Sequence, residues 1–287
     1  MPKRRKHGIV MPTRSRFNRL EVCLPHWLEQ DMPIHLIVEP GEVRAHWRWL
    51  CEHDFCGAVN VVSQKKSNAG IGYARRVAMT YAHEQGYTEC IMADDDVHPF
   101  KGESVKPLLD FVAKENAMGI AGWMSSYGLW FPNGNETAKQ PGLAVPVTGI
   151  GDCITGFNVK RVLAAGNFNP DLDVLHENGE IIRQSYRTGY CWWVSTDVHI
   201  KMLGKRNDPG GIVAQAGSLE ARLARETRCH AVVHALWPDY VSAPPKRYSC
   251  RWRRLITDYV GEEAREAVYS KRVFDASDIP RYMRRKA

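Results

Sequence analysis

The sequence predicts a doubly wound α/β fold with a mostly parallel sheet. Three observations carry that reading: short apolar runs alternate with stretches of helical periodicity, glycine and polar residues punctuate the junctions, and an acidic triplet closes the fourth apolar run. Gly8-Ile-Val-Met-Pro is the first strand, and Phe17, Leu20, Leu24, Trp27 and Leu28 follow at helical spacing. Ile34-His-Leu-Ile-Val-Glu supplies the second strand, residues 42 to 50 the next helix, and Ala58-Val-Asn-Val-Val the third strand. A helix from about Ile71 to Gln85 stops at Gly86, a residue suited to a helix C-terminus, and the fourth strand, Cys90-Ile-Met-Ala, runs into Asp94-Asp95-Asp96.

In sheets of this kind ligands bind beyond the carboxyl ends of the strands, where Pro12-Thr13-Arg14, Glu39 and Asp94 to Asp96 all fall. Adjacent carboxylates repel one another and are costly to desolvate unless a cation compensates them; hard divalent ions favour oxygen ligands and often bridge to phosphates. The triplet therefore points to metal-assisted handling of a phosphorylated substrate, against the plainer alternative of an acidic turn that caps a helix. Upstream, Ser67-Asn68-Ala69-Gly70-Ile71-Gly72-Tyr73-Ala74-Arg75-Arg76 offers glycines for close backbone approach, a helix start with free N–H groups, and Arg75 as a phosphate partner. It lacks the spacing of a Walker loop or a dinucleotide fingerprint.

At 287 residues and 44% apolar composition the chain can bury a sizeable core and falls outside the disordered class. A basic run opens the sequence with no apolar signal segment behind it, and no stretch approaches the roughly 20 apolar residues that cross a bilayer. The expectation is a soluble, cytoplasmic protein that does not engage membrane. The eight cysteines are scattered, so no disulfide framework is expected, and Cys51, His53 and Cys56 have no second ligand pair at zinc-finger spacing. The net charge of +7 is uneven. Lys3 to Lys6 carry four positive charges, while residues 244–287 hold twelve Lys and Arg against six Asp and Glu. This leaves the body mildly acidic between basic ends that suit a polyanion, and Tyr248-Ser-Cys-Arg-Trp-Arg-Arg alternates basic and aromatic residues. A solvated helical face would read the same way.

Taken together, from Gly8 to about Tyr190 the residues resemble a glycosyltransferase of the GT-A fold, Rossmann-like, with a mostly parallel sheet between helices. In that family the first strand ends in a nucleotide-contacting loop, matched by Pro12, Thr13 and Arg14, and the second in an acidic residue near the base, matched by Glu39. Asn68-Ala-Gly70-Ile-Gly-Tyr-Ala-Arg75 looks like the family's helix start beside the sugar nucleotide, and Asp94-Asp95-Asp96 like its metal-binding motif. The resemblance implies that Asp96 ligates Mg²⁺ or Mn²⁺, while Asp94 or Asp95 touches ribose, sugar or metal. A second stretch resembles the acceptor half of inverting members: Gly156-Phe157-Asn158, Lys160 to Leu163, Gly166 to Leu172, His176 to Glu180, and Arg187-Thr-Gly-Tyr190. The implied organisation is a GT-A domain over 7–243, with a nucleotide-sugar half at 7–100 and an acceptor half at 101–243, followed by a basic, mostly helical extension over 244–287.

One departure concerns the base. Counting back from Gly189-Tyr190 places Asn178 where the family has an aspartate. Glu177 is the first candidate, with Glu180 and Asp173 in reserve, because the role needs an ionised carboxylate in reach of the acceptor hydroxyl; a helix-start carboxylate facing the dipole is the alternative for Glu177. His234, in the strand-like run Cys229 to Trp237, is a candidate third metal ligand beside Trp237 and Asp239, with a satisfied, partly buried histidine as the alternative. Trp192, Trp193 and Gly156 are candidate acceptor contacts, with core packing as the alternative for the tryptophans.

Three acceptor readings stay open. The motifs and basic ends resemble the TET-associated glycosyltransferases of phages, proposed to glycosylate hydroxymethylated pyrimidines in DNA, which implies UDP-glucose as the leading donor and a DNA partner that would be flipped or distorted. The same catalytic half would also serve a protein, glycan or small molecule. The third reading is a non-catalytic nucleotide- or nucleic-acid-binding module.

Overall fold

The structure, a computed structural model, describes residues 6–124, 142, 144–146, 153–173, 177–203 and 218–236. Strands β1 (Ile9–Pro12), β2 (Ile34–Val38), β3 (Val59–Ser63) and β4 (Glu89–Ala93) alternate with helices α1 (Phe17–Leu28), α2 (Val43–Glu52) and α3 (Gly70–Glu84), as the periodicity predicts. Every residue of β1, β2 and β4 is buried, which is why these runs are apolar on both faces apart from His35 and Glu89 instead of alternating. Gly86 takes a φ of +75° just beyond α3, so the chain reverses there into β4.

The remaining described elements are β5 (Val97–Pro99), α4 (Lys106–Lys114), β6 (Ala117–Met124), β7 (Ala144–Pro146), β8 (Ile154–Asn158), α5 (Val159–Ala164), α6 (Glu177–Arg187), β9 (Cys191–Met202) and α7 (Leu219–Leu236). One sheet runs in the order β3-β2-β1-β4-β8-β6-β9-β5, with β7 also paired to β9. From β3 to β4 all pairs are parallel. Beyond β4 the sheet is mixed: β8 is antiparallel to both β4 and β6, β9 is parallel to β6, and β5 and β7 are antiparallel to β9. Chain order reverses between β1 and β4, and at such a switch point the loops after neighbouring strands part to leave a ligand site. The loop after β1 carries Thr13 to Arg16, and the loop after β4 carries the aspartates.

Helices cover the sheet through large apolar side chains. Trp27 is fully buried and its indole N–H donates to the Val97 carbonyl at 2.9 Å, fixing α1 against β5. Trp192 packs edge-on against Phe157, and Gly119 permits this because a Cβ there would lie 2.9 Å from the indole ring.

Two expectations are corrected. The run from Cys229 is not a strand but the last part of α7, where Cys229 and Val233, one helical turn apart, pack on Leu172. Cys51 and Cys56 form a disulfide although none was expected: α2 ends between them, Asp54 at φ +59° turns the chain back, and the two Cα atoms come within 4.9 Å. Cys23, Cys90, Cys153 and Cys229 are free and buried. Among the described residues no helix is long and apolar enough to cross a membrane. Lys3 to Arg5, Trp237, Asp239 and the basic extension 244–287 lie outside the described residues.

Candidate active site

The loop after β1 is drawn in by short-range bonds. The Thr13 amide donates to Ile37 at 3.1 Å, continuing the β1–β2 ladder past the strand end. Arg14 then reaches sideways: its Nη2 donates to Asn68 Oδ1 at 2.6 Å, and its Nη1 lies 3.5 Å from Glu39 Oε1. The Asn68 amide donates to the same Glu39 oxygen at 3.1 Å, with Asn68 in the left-handed region at φ +55°. Arg14, Glu39 and Asn68, three predicted nucleotide-side residues from three separate loops, therefore stand together.

The aspartates divide into three roles. Asp95 is buried, and both its oxygens are engaged: Thr13 Oγ1 donates to Oδ2 at 2.7 Å and Arg16 Nη1 to Oδ1 at 2.6 Å. Arg16 Nη2 continues to Asp96 Oδ2, also at 2.6 Å, so one guanidinium spans two neighbouring carboxylates. Asp94 turns the other way and accepts from Arg75 Nη2 at 2.8 Å on Oδ1. Burial pushes Asp95 up to about 7 against the pull of Arg16 and the Thr13 hydrogen bond. It pushes Asp94 up to about 6, opposed by Arg75 and reinforced by the charges of Asp96 and Glu177. Three adjacent carboxylates share two guanidinium groups, an environment in which a further cation is stabilising.

Arg75 is itself buried, sits over the Phe168 ring at 5.9 Å, and donates its other terminal nitrogen to Asn178 Oδ1. It thus ties α3 to the end of β4 and to the first turn of α6. That turn also holds Glu177 and Glu180, both buried; Glu180 Oε1 accepts from Gln184 at 2.8 Å.

The glycines of the α3 start serve a different purpose from the one expected. Gly70 has φ +82°, and a Cβ there would lie 2.2 Å from Asp173 Cβ; a Cβ on Gly72 would lie 2.3 Å from the Asn169 carbonyl oxygen. The Ile71 and Gly72 amides donate to the carbonyls of Asp173 and Leu172 at 3.1 and 3.0 Å. The close approach is to the 169–173 segment, and two of the helix-start N–H groups, those of Ile71 and Gly72, are already paired with it. Asp173, a reserve base, is bound by Arg225 at 3.0 Å, by Arg228, and by the Cys229 thiol at 3.2 Å. Burial alone would raise its carboxyl; the Cys229 and Arg225 hydrogen bonds and the two arginine charges outweigh it and hold it below the usual range. That grip makes Asp173 an anchor for α7 and a poor proton acceptor.

The structure places the three acceptor-contact candidates in the core, the alternative given for the tryptophans. Trp192 and Trp193 are 0% and 2% exposed, with Trp193 edge-on to Phe111 at 5.4 Å, and a Cβ on Gly156 would meet Leu108 at 2.9 Å. All three belong to the core beneath the site. His234 lies on α7, and its side chain is outside the described residues. Arg16 is the site residue that sequence reasoning missed; it stands one position before α1 among other arginines, and no local signal singles it out.

Solved structures share this architecture. A mannosyltransferase from Pyrobaculum calidifontis, in complex with GDP-Man and Mn²⁺, aligns with TM-score 0.54 at 16% identity over 94% of this chain and 74% of its own. GalNAc-T7 with UDP, GalNAc and Mn²⁺ aligns with TM-score 0.60 at 10% identity over 92% of this chain and 58% of its own. The chain has the GT-A glycosyltransferase fold. Within that fold, residues 7–107 match the family model described as TET-Associated Glycosyltransferase, about a third of the chain. That match covers β1 to β4, the aspartates and the loops that meet them. A comparison with curated protein sequences found no match.

The GT-A site residues fit a hard divalent ion. Among the described residues Arg75 uses Oδ1 of Asp94 and Arg16 uses Oδ2 of Asp96, leaving each carboxylate a second oxygen. Among the described residues no group of three or more His, Cys, Asp and Glu side chains is arranged to hold a metal. One or two carboxylates with substrate phosphates completing the shell is the usual arrangement for such ions.

Proposed function

We propose that this GT-A protein is a metal-dependent glycosyltransferase that moves a sugar from a nucleotide sugar, with UDP-glucose the leading donor, to a hydroxyl acceptor, and that the acceptor is a 5-hydroxymethylpyrimidine in DNA. The observation that carries the reading is the convergence, at the β1/β4 switch point, of Asp94 and Asp96 with two buried or half-buried arginines and the Arg14, Glu39 and Asn68 cluster. The family description over residues 7–107 and the basic ends support the DNA acceptor.

Asp96 and Asp94 would hold Mn²⁺ or Mg²⁺, which when bound would neutralise the diphosphate leaving group. Arg14, Glu39 and Asn68, with Pro12 and Thr13 behind them, frame the nucleotide. Arg75 keeps Asp94 aimed by occupying one of its oxygens. Glu177, in the first turn of α6 and close enough to raise the Asp94 carboxyl, takes the proton of the acceptor hydroxyl as its oxygen bonds to the anomeric carbon. The bond from that carbon to the diphosphate breaks, its electron pair leaving with the nucleoside diphosphate, and a single displacement inverts the anomeric centre. Asn178 takes no proton in this scheme; its carbonyl fixes Arg75.

The test is nucleoside diphosphate release from a panel of sugar nucleotides with Mn²⁺. Release from one donor that disappears in Asp96→Asn supports the enzyme reading, and release that hydroxymethylated DNA does not stimulate moves the acceptor to a glycan, protein or small molecule. No release from any donor, with or without DNA, contradicts it.

A further inference from the structure

Arg16 has unequal partners. On one side is Asp95, whose side chain is 5% exposed and whose other oxygen is held by Thr13; on the other is Asp96, 16% exposed, whose second oxygen has no hydrogen-bond partner among the described residues. A two-pronged arginine is well suited to bridge such carboxylates, and both contacts are short at 2.6 Å. Asp95 is the fixed post, and Asp96 the partner at the rim. A guanidinium attached to Asp96 weakens that carboxylate as a ligand and sets a positive charge a few ångströms from any cation bound there, a repulsion that partial burial leaves poorly screened. A diphosphate reverses the balance. It brings negative charge that compensates both cations and oxygens that complete the metal's shell.

We propose that Arg16 couples metal uptake to arrival of the donor diphosphate. While the diphosphate is absent Arg16 restrains Asp96 and keeps the site's affinity for a lone divalent ion low; with metal and diphosphate together the restraint is offset, and Arg16 stays anchored on Asp95. Arg16 acts through Asp95 and Asp96 and is a positioning residue. Linkage makes the effect reciprocal, so the metal raises diphosphate affinity by the factor by which diphosphate raises metal affinity. This inference rests on the glycosyltransferase reading only in assigning the metal to Asp96.

The test is direct Mn²⁺ binding to the full chain, followed by the electron paramagnetic resonance signal of free Mn²⁺, with and without a panel of UDP, GDP, ADP and dTDP. Arg16→Gln is expected to bind Mn²⁺ alone roughly tenfold more tightly than the parent, and to lose roughly tenfold of the gain that the effective diphosphate gives. Arg16→Lys, which keeps the charge without the fork, retains most of the restraint and guards against a folding defect in the first variant. Equal Mn²⁺ affinity and equal gain in parent and Arg16→Gln overturn the inference and leave the enzyme reading intact, provided Asp96→Asn abolishes Mn²⁺ binding. If no protein binds Mn²⁺ under any condition, the metal-dependent reading fails and the inference with it.

Discussion

Arg75 donates to Asp94 at 2.8 Å with one guanidinium nitrogen and to Asn178 with the other. This second partner is a neutral amide, at the position where the family resemblance implies an acid, and Arg75 also pairs with the Asp94 carboxylate. Replacing Arg75 by Met leaves a crowded carboxylate without its partner. Folding stability is expected to fall by about 2 kcal/mol, measured by urea unfolding, and Mn²⁺ affinity to change with it. Unaltered stability would show that the bridge is dispensable.

Glu177→Gln keeps the volume and burial of the side chain but removes the proton acceptor. Transfer is expected to drop by about 10² to 10⁴ while nucleotide affinity, measured by calorimetry, stays unchanged. Near-normal turnover would move the base to Glu180 or beyond the described residues.

The two positive-φ glycines at either end of α3 separate strain from collision. Gly86 faces open space at φ +75°, whereas Gly70 at φ +82° faces Asp173. Alanine at Gly86 is expected to cost about 1 kcal/mol, and alanine at Gly70 about 3 kcal/mol because the 169–173 segment must also move. Equal losses in urea unfolding would mean that this segment is not seated on α3.

His35 is a buried core imidazole between Tyr87 at 2.7 Å and Tyr81 at 3.2 Å, and burial lowers it from 6.5 to about 4. The folded protein therefore refuses a proton that the unfolded chain accepts. Its contribution to stability is full above pH 6.5, declines as pH falls, and is lost below about 4. The loss across that window is at most about 3 kcal/mol. His35→Gln should flatten the pH dependence of unfolding over that interval; an unchanged slope would assign it to other groups.

The nucleotide half was legible because its elements repeat one rhythm and because Gly86 and Asp94 to Asp96 mark where helix and strand stop. Long-range pairing hid the rest. Nothing local distinguishes Arg16 from Arg14 or Arg19; only the docking of β1 beside β4 brings it onto two aspartates. Gly70 and Gly72 read as a phosphate-approach motif, and the same absence of a side chain instead admits Asp173 and Asn169. Cys229 to Leu236 is an apolar run too short to separate strand from helix by periodicity, and its polar amino-terminal continuation, Leu219 to Arg228, decides for helix. Aromatic side chains suit sugars and cores alike, and only the packing of Trp192 on Gly119 and of Trp193 on Phe111 shows these two in the core.

The most direct measurement of the central claim is the intact nucleoside mass after incubating the protein with Mn²⁺, a panel of sugar nucleotides and DNA containing hydroxymethylcytosine or hydroxymethyluracil. The account predicts one added sugar mass on the hydroxymethylated base, from one donor, absent with Asp96→Asn. An unchanged nucleoside mass with every donor, under conditions where the parent protein binds both Mn²⁺ and a nucleoside diphosphate, would contradict the DNA acceptor.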